Sequence, residues 1–217
     1  MCAALAALVL CGLTACGKTE EPARQDIFAM DTYMSLVAYG EDGQEALAAA
    51  AREINRLEQE LSRTVSTSYI YKLNENGSAA VSEETANLLK AALDYSAATG
   101  GLFDMTVAPL VSLWGITTDS PRVPSRSEID ALLPLVGSGH VHLDGQTVTL
   151  DAGCAVDLGG IAKGYASDRV AQVLRQYAVT GAAVSLGGNV YVCGQKPDGT
   201  AWSVAVQDPK KTDAYAI

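Results

Sequence analysis

The chain is poor in positive charge. Fifteen Lys and Arg stand against 25 Asp and Glu, a formal net charge of −10 over 217 residues, with no basic run to offset it. General nucleic-acid binding needs a basic footprint and is excluded. Histidine is nearly absent: His140 and His142 are the only two. Two apart, they share one face of a strand, and a metal centre would need further ligands, so they read as solvent-facing side chains. None of the five cysteines falls into a zinc spacing. There is no internal repeat and no steady alternation of strand with helix. The expected class is therefore α+β, with mixed helices and antiparallel hairpins, rather than a doubly wound sheet. A long apolar run is missing too. CAALAALVLCGLTAC (2–16) is too short to span a bilayer as a stable helix and reads as the apolar part of a signal peptide.

What is present is a core. Hydrophobic residues make up 48% of the chain, enough for one globular domain and against wholesale disorder. The expected organisation is a signal peptide over 1–15, a lipidated cysteine and tether over 16–26, and one domain over 27–217. Leu13-Thr14-Ala15-Cys16 resembles a bacterial lipobox. That resemblance implies that Cys16 is the lipidated first residue of the mature chain, anchored to the cell membrane on its extracytoplasmic face. No Lys or Arg precedes the apolar run, and the alternative is an ordinary cleaved signal with an incidental cysteine. The polar stretch KTEEPARQ (18–25) reads as the tether. Cys2 and Cys11 would leave with the signal. Cys154 and Cys193 sit in apolar, strand-like surroundings and read as buried free thiols.

Periodicity places the elements. TYMSLVAYG (32–40) alternates, with Met34, Leu36 and Ala38 on one face, as a strand does. From Asp42 to Leu61, residues Leu47, Ala50, Ile54, Leu57 and Leu61 recur at helical spacing. A second helix starts at Ser82 and stops at Thr99-Gly100-Gly101. A short one is expected over 127–133, ended by Pro134. HVHLDGQTVTLD (140–151) reads as a hairpin turning at Asp144-Gly145, with Val141 and Leu143 inward. AAVSLGGNVYVCG (182–194) reads as a strand broken at Gly187-Gly188, with WSVAVQ (202–207) as its partner strand.

One stretch stands apart: DLGGIAKGYASDRV (157–170), a carboxylate, two glycines and a lysine just before a helix expected to run to Tyr177. Glycines there are costly unless something approaches the backbone closely. A helix N-terminus with Lys163 in its first turn suits a phosphate. Asp157 either caps the helix or takes a hydrogen bond from a ligand. Gly164 follows Lys163 where a Walker A loop has Ser or Thr, and the glycines fall as GGxxxG rather than GxGxxG. On these residues alone, a capped helix packed on a close strand explains the pattern equally well.

The wider pattern narrows this. Ala29-Met30-Asp31-Thr32, LSRTVSTSYIYKLN (61–74), TGGLFDMTVAPLVSLWGI (99–116), DLGGIAKGYASDRV, VSLGGNVYVCG and WSVAVQDP (202–209) occur in this order. The sequence so resembles the FAD:protein FMN transferase family, the ApbE-like flavin transferases. The resemblance implies a T-fold-like α+β fold and a magnesium-dependent reaction. FAD is split, FMN passes to the threonine hydroxyl of an acceptor protein carrying a flavinylation motif, and AMP is released. Some relatives instead hydrolyse FAD to FMN and AMP. It implies FAD contacts at Met30, Leu102, Phe103, Asp104, Asp157 and Lys163, and a backbone carbonyl for Mg2+ at Gly160. Phe103 read alone is equally a core residue, and Asp104 a turn cap.

Two departures carry expectations of their own. Thr64 stands where many relatives have a tyrosine, so one stacking contact is lost. The chain ends at Ile217, before the HxxDPxTG-like segment and the Asp and Thr that complete the family's metal site. The expectation is a fragment that is inactive by itself, with Asp208 and Asp213, in a short polar tail, the only candidate metal carboxylates downstream. An inactive, truncated flavin-binding lipoprotein is the remaining alternative.

Overall fold

A computed structural model describes residues 21–116, 118–210 and 215. The signal peptide, Cys16 and Asp213 lie outside the described residues.

Strands β1 (Ala23–Ala29) and β2 (Thr32–Tyr39) form a hairpin. Late in the chain, β6 (Gly181–Leu186) pairs with β2, and β7 (Asn189–Gly194) pairs with β6. The result is one antiparallel sheet in the order β1-β2-β6-β7. Alternation puts Met34, Leu36 and Ala38 of β2 and Ala182, Val184 and Leu186 of β6 on one face, all without solvent contact. Helices α1 (Gly43–Leu61) and α6 (Ala162–Leu174) cover that face. Leu47, Ala50, Ile54 and Leu57 of α1 are fully buried and Leu61 nearly so, the apolar stripe expected from their spacing. Burial of each large side chain stabilises by roughly 1.5–3 kcal/mol before entropy is counted.

Between these outer parts of the chain lie α2 (Tyr69–Asn76), β3 (Ser78–Ala80), α3 (Glu83–Ala98), α4 (Ala108–Trp114), α5 (Arg126–Leu132), β4 (Val141–Asp144) and β5 (Thr147–Leu150). The three short strands form a second antiparallel sheet, β3-β5-β4. Ser82 caps α3 by accepting from Thr85 N, and Ser125 caps α5 in a reciprocal box with Glu128. Charges tie α1, α3 and α6 together. Arg56 reaches Glu53, Glu60 and Glu84, Arg169 reaches Glu53 and Glu84, and the Tyr165 hydroxyl donates to Glu84 Oε1 at 2.6 Å. The Arg56 guanidinium holds the Glu53 carboxyl down to about 2, with Arg169 adding to the effect against burial. Burial and Glu84 push the Tyr165 phenol well above its usual range.

Several sequence expectations are corrected. Residues 23–26, read as tether, belong to β1, because their backbone pairs with β2. The stretch 182–194 is not one broken strand but a hairpin, since Gly187 and Gly188 both take positive φ and turn the chain back. Residues 202–206 form no strand. The Trp202 indole N–H donates to the Cys193 carbonyl at 3.0 Å and its ring lies 6.1 Å from that of Tyr39, but Val204 and Val206 stay exposed, so the alternation has no buried face beyond Trp202. Helix α6 ends at Leu174, short of Tyr177. Both late cysteines are free thiols, Cys154 buried and Cys193 half-buried, but Cys154 sits in the loop after β5 rather than in a strand. His140 and His142 both engage Asp151, at 2.9 and 2.8 Å, and hold that carboxyl below its usual value.

Candidate functional site

A cavity of about 490 Å³ opens where α1 ends and α6 begins. Four stretches of chain wall it: the β1–β2 turn, the end of α1, the segment running from Leu102 into α4, and the loop 157–160 with the first turn of α6. Met30, Leu102, Phe103, Asp104, Asp157, Gly160 and Lys163, the seven positions singled out by sequence, all line it.

Each wall has a local cause. At the turn, Met30 and Asp31 both adopt positive φ, 50° and 56°. Left-handed backbone at two consecutive non-glycine residues is strained. The turn is held by Glu58 of α1, whose Oε1 accepts the Met30 N–H at 2.7 Å. The segment 102–104 is fixed by Asp104, which accepts from both the backbone N–H and the hydroxyl of Thr106. Asp104 is thus the cap of a 3-10 turn over Met105–Val107, as well as a wall residue. The Phe103 ring packs against the core and meets Tyr95 edge-on at 6.5 Å. Leu102 is 94% exposed, which puts it at the cavity mouth rather than its floor.

The loop before α6 is pinned at its start. The Asn74 side chain donates to the Val156 carbonyl and accepts its N–H, and the Asp157 N–H donates to the Met105 carbonyl. Asp157 does not cap α6: the cap position is Ile161, with no side-chain bond. Instead Oδ1 accepts the Gly159 N–H at 2.7 Å, and Oδ2 pairs with Arg63 Nε at 2.9 Å. The two glycines have a reason that needs no ligand. A Cβ on Gly159 would stand 3.0 Å from Asp157 Oδ1, and one on Gly160 would stand 3.0 Å from Phe103 Cε2. The protein's own carboxylate and ring approach them. Lys163, half-buried in the first turn of α6, has no side-chain partner among the described residues.

Sequence reasoning missed Asn74, Glu58 and Arg63. Asn74 and Arg63 lie within the phrase LSRTVSTSYIYKLN, and a cation just past a helix end was the available signal for Arg63. Thr64 is exposed, bonded to Ser62, and does not line the cavity. Asp208 is also off the wall and closes a turn onto Lys210 N. No group of three His, Cys, Asp or Glu able to hold a metal exists among the described residues. Chemically, the cavity joins an apolar side (Met30, Leu61, Phe103, Val107, Val111, Leu158) to a charged one, with the cations Arg63 and Lys163 and the carboxylates of Asp31, Glu58, Asp104 and Asp157. That division suits an elongated ligand with a flat apolar part and an anionic part.

Comparison with known proteins gives the family. FAD:protein FMN transferase of Vibrio cholerae is 32% identical over 216 residues, covering 95% of this chain and 64% of the relative. The protein of the same name from Treponema pallidum is 30% identical over 230 residues, covering 94% and 63%. The chain therefore spans just under two thirds of the length of these relatives. Among solved structures, the ApbE protein of Thermotoga maritima superposes with a TM-score of 0.82 at 34% identity, covering 90% of this chain and 67% of that one. The flavin transferase ApbE of Vibrio cholerae gives 0.78 at 28% identity, covering 87% and 64%. The family model described as ApbE family matches residues 30–217, and the chain belongs to that family.

Proposed function

We propose that this chain carries the flavin site of an FAD:protein FMN transferase, and that the acceptor group is a threonine hydroxyl. The observation that carries the reading is the convergence of Met30, Leu102, Phe103, Asp104, Asp157 and Lys163 from separate stretches onto one cavity. Met30 and Phe103 offer apolar surface to the flavin ring. Asp157 keeps lone pairs for a ligand N–H or hydroxyl beyond those used by Gly159 and Arg63. The Lys163 ammonium faces the pyrophosphate. In the proposed step the acceptor oxygen bonds to the FMN phosphorus, the bond to AMP breaks, and AMP leaves with that electron pair. The hydroxyl proton passes to solvent.

Magnesium dependence is part of the proposal and rests on family resemblance. Magnesium takes octahedral oxygen ligands, usually including one or two carboxylates. Among the described residues Gly160 would add one carbonyl, and no carboxylate cluster joins it. The described residues do not by themselves fit the ion. Lipidation at Cys16 and attachment to the outer face of the cell membrane are likewise proposals; intact mass of the membrane fraction tests them, and an unmodified product beginning elsewhere would sink them.

The site is tested by FAD titration, read by flavin fluorescence. Asp157→Asn is expected to weaken binding ~tenfold, the worth of a charged hydrogen-bond partner of ~1.5–3 kcal/mol. Lys90→Ala, which breaks only an exposed pair with Asp94, leaves binding unchanged. Incubation with FAD, magnesium and a threonine-bearing acceptor then separates the reactions. A fluorescent acceptor band with AMP supports transfer, and FMN plus AMP without labelling supports hydrolysis. Absence of FAD binding overturns the reading.

A further inference from the structure

We propose that Arg63 is a positioning residue for Asp157 and, with Lys163, a second cation for the ligand's pyrophosphate; the identity of that ligand rests on the flavin reading above. Arg63 lies one residue past the C-cap of α1, on the cavity wall. Its Nε is 2.9 Å from Asp157 Oδ2, and its Nη1 donates to Ser112 Oγ of α4 at 3.3 Å. One side chain thus joins three walls: the end of α1, α4, and the loop before α6.

The geometry of the pair argues for more than a prop. An Arg and a carboxylate that only hold each other commonly meet fork to fork, with two parallel bonds. Here Arg63 Nε lies 2.9 Å from Asp157 Oδ2 while Oδ1 accepts the Gly159 N–H at 2.7 Å, so the carboxylate is shared between a side chain and the backbone. The remaining nitrogen, Nη2, has no partner among the described residues. Both side chains are about one-fifth exposed, 20% and 18%, so the pair is shielded from bulk water yet reachable from the cavity. A guanidinium fixed on one edge and open on another matches a phosphate oxygen. Lys163, on the wall formed by the first turn of α6, supplies a second positive charge with no side-chain partner among the described residues. The lining carries four carboxylates, of which Glu58 and Asp104 are already engaged by the Met30 N–H and by Thr106, and its two cations, Arg63 and Lys163, are where an anionic group would be met.

The test titrates the full chain, Arg63→Gln and Arg63→Lys with three probes: FAD, riboflavin and inorganic pyrophosphate, each at low and high salt. Riboflavin has the ring without phosphate, and pyrophosphate the reverse. Arg63→Gln is expected to weaken FAD and pyrophosphate ~tenfold and to flatten their salt dependence, with riboflavin unchanged. Arg63→Lys keeps the charge but not the fork and falls between. Circular dichroism checks folding; if the Gln variant is misfolded, the Lys variant decides by the same ratio of FAD to riboflavin loss. An equal loss for FAD and riboflavin makes Arg63 a structural brace and overturns the proposal, as does no loss for any probe. Binding of pyrophosphate that depends on Arg63, without binding of FAD, keeps the anion role and overturns the flavin reading instead. A chain that binds neither FAD nor pyrophosphate overturns both.

Discussion

Two hairpin turns sit side by side at one end of the four-stranded sheet, and they are built from opposite materials. The β6–β7 turn is Gly187-Gly188, with φ of 59° and 92°; the β1–β2 turn is Met30-Asp31, with φ of 50° and 56°. They are neighbours, because Gly187 N donates to the Tyr33 carbonyl. Both need left-handed backbone at two successive positions, the requirement of a tight two-residue hairpin. Glycine meets it without steric penalty, whereas other L-residues lose roughly 1–2 kcal/mol each, Asp less. Only the costly turn lines the cavity. Glu58 holds its Met30 amide, and the side chains that glycine would lack are aimed at the site. Strain kept where a ligand is proposed to bind, beside a relaxed turn that does not line the cavity, is how a functional constraint shows in a backbone.

The sharpest way to break this contrast is to load the relaxed turn. A Cβ on Gly187 would meet the Thr32 hydroxyl at 2.4 Å and its methyl at 2.7 Å, at a φ that L-residues avoid. Gly187→Val is expected to destabilise by about 3 kcal/mol or more, from backbone strain plus overpacking. Urea unfolding midpoints measure it. A loss under about 1 kcal/mol would mean the sheet end is soft, and the strain assigned to Met30-Asp31 would lose its meaning.

The same contrast explains what was legible in the sequence. Gly187-Gly188 announced a break, but not that the chain reverses there into a hairpin, with 189–194 rather than 202–207 as the partner strand. Met30-Asp31 gave no local signal, since neither residue favours φ above zero; it was reached only through family resemblance. The stripe from Leu47 to Leu61 and the alternation of Met34, Leu36 and Ala38 were readable because burial is periodic. WSVAVQ had the same alternation, yet 202–206 form no strand, because a period of two is necessary for a half-buried strand and not sufficient without a covering layer. The seven positions reached through family resemblance all line one cavity. Their partners were not legible: Asp157 to Arg63 spans 94 positions, and Val156 to Asn74 spans 82. No spacing rule reaches that far.

A milder test exchanges material between the turns. Asp31 is exposed, and Asp31→Gly removes left-handed strain without removing packing. A gain of about 0.5–1 kcal/mol in unfolding free energy is expected. Gly188→Asp is the reverse exchange; open space surrounds its Cβ position, so only backbone strain enters, and a loss of similar size is expected. Two changes of the same sign would show that the turns do not differ in strain, whatever their composition.

The smallest effect concerns the helix that holds the strained turn. Glu58 lies on α1 little more than one helical turn from Glu53, whose carboxyl is lowered from 4.5 to about 2, first by its hydrogen bond from Arg56 and then by Arg169. A carboxyl more acidic in the folded state than in the unfolded one stabilises the fold while ionised. Its contribution is complete above pH 4.5 and is lost as pH falls from there towards 2. Arg56 is 36% exposed, so solvent screening cuts the energy to about 1 kcal/mol. Glu53→Gln removes the titrating group and nearly keeps its shape. The difference in unfolding free energy between the parent and Glu53→Gln should therefore be about 1 kcal/mol at pH 7, stay level to about pH 5, and shrink towards zero near pH 2. Amide exchange sharpens the result. In the variant at pH 7 the Met30 N–H, whose acceptor sits on α1, should exchange faster, while the Gly187 N–H, bonded within the sheet, should hold. A difference that stays constant down to pH 2, or equal acceleration at both amides, would place the stabilising charge elsewhere and uncouple α1 from the turn.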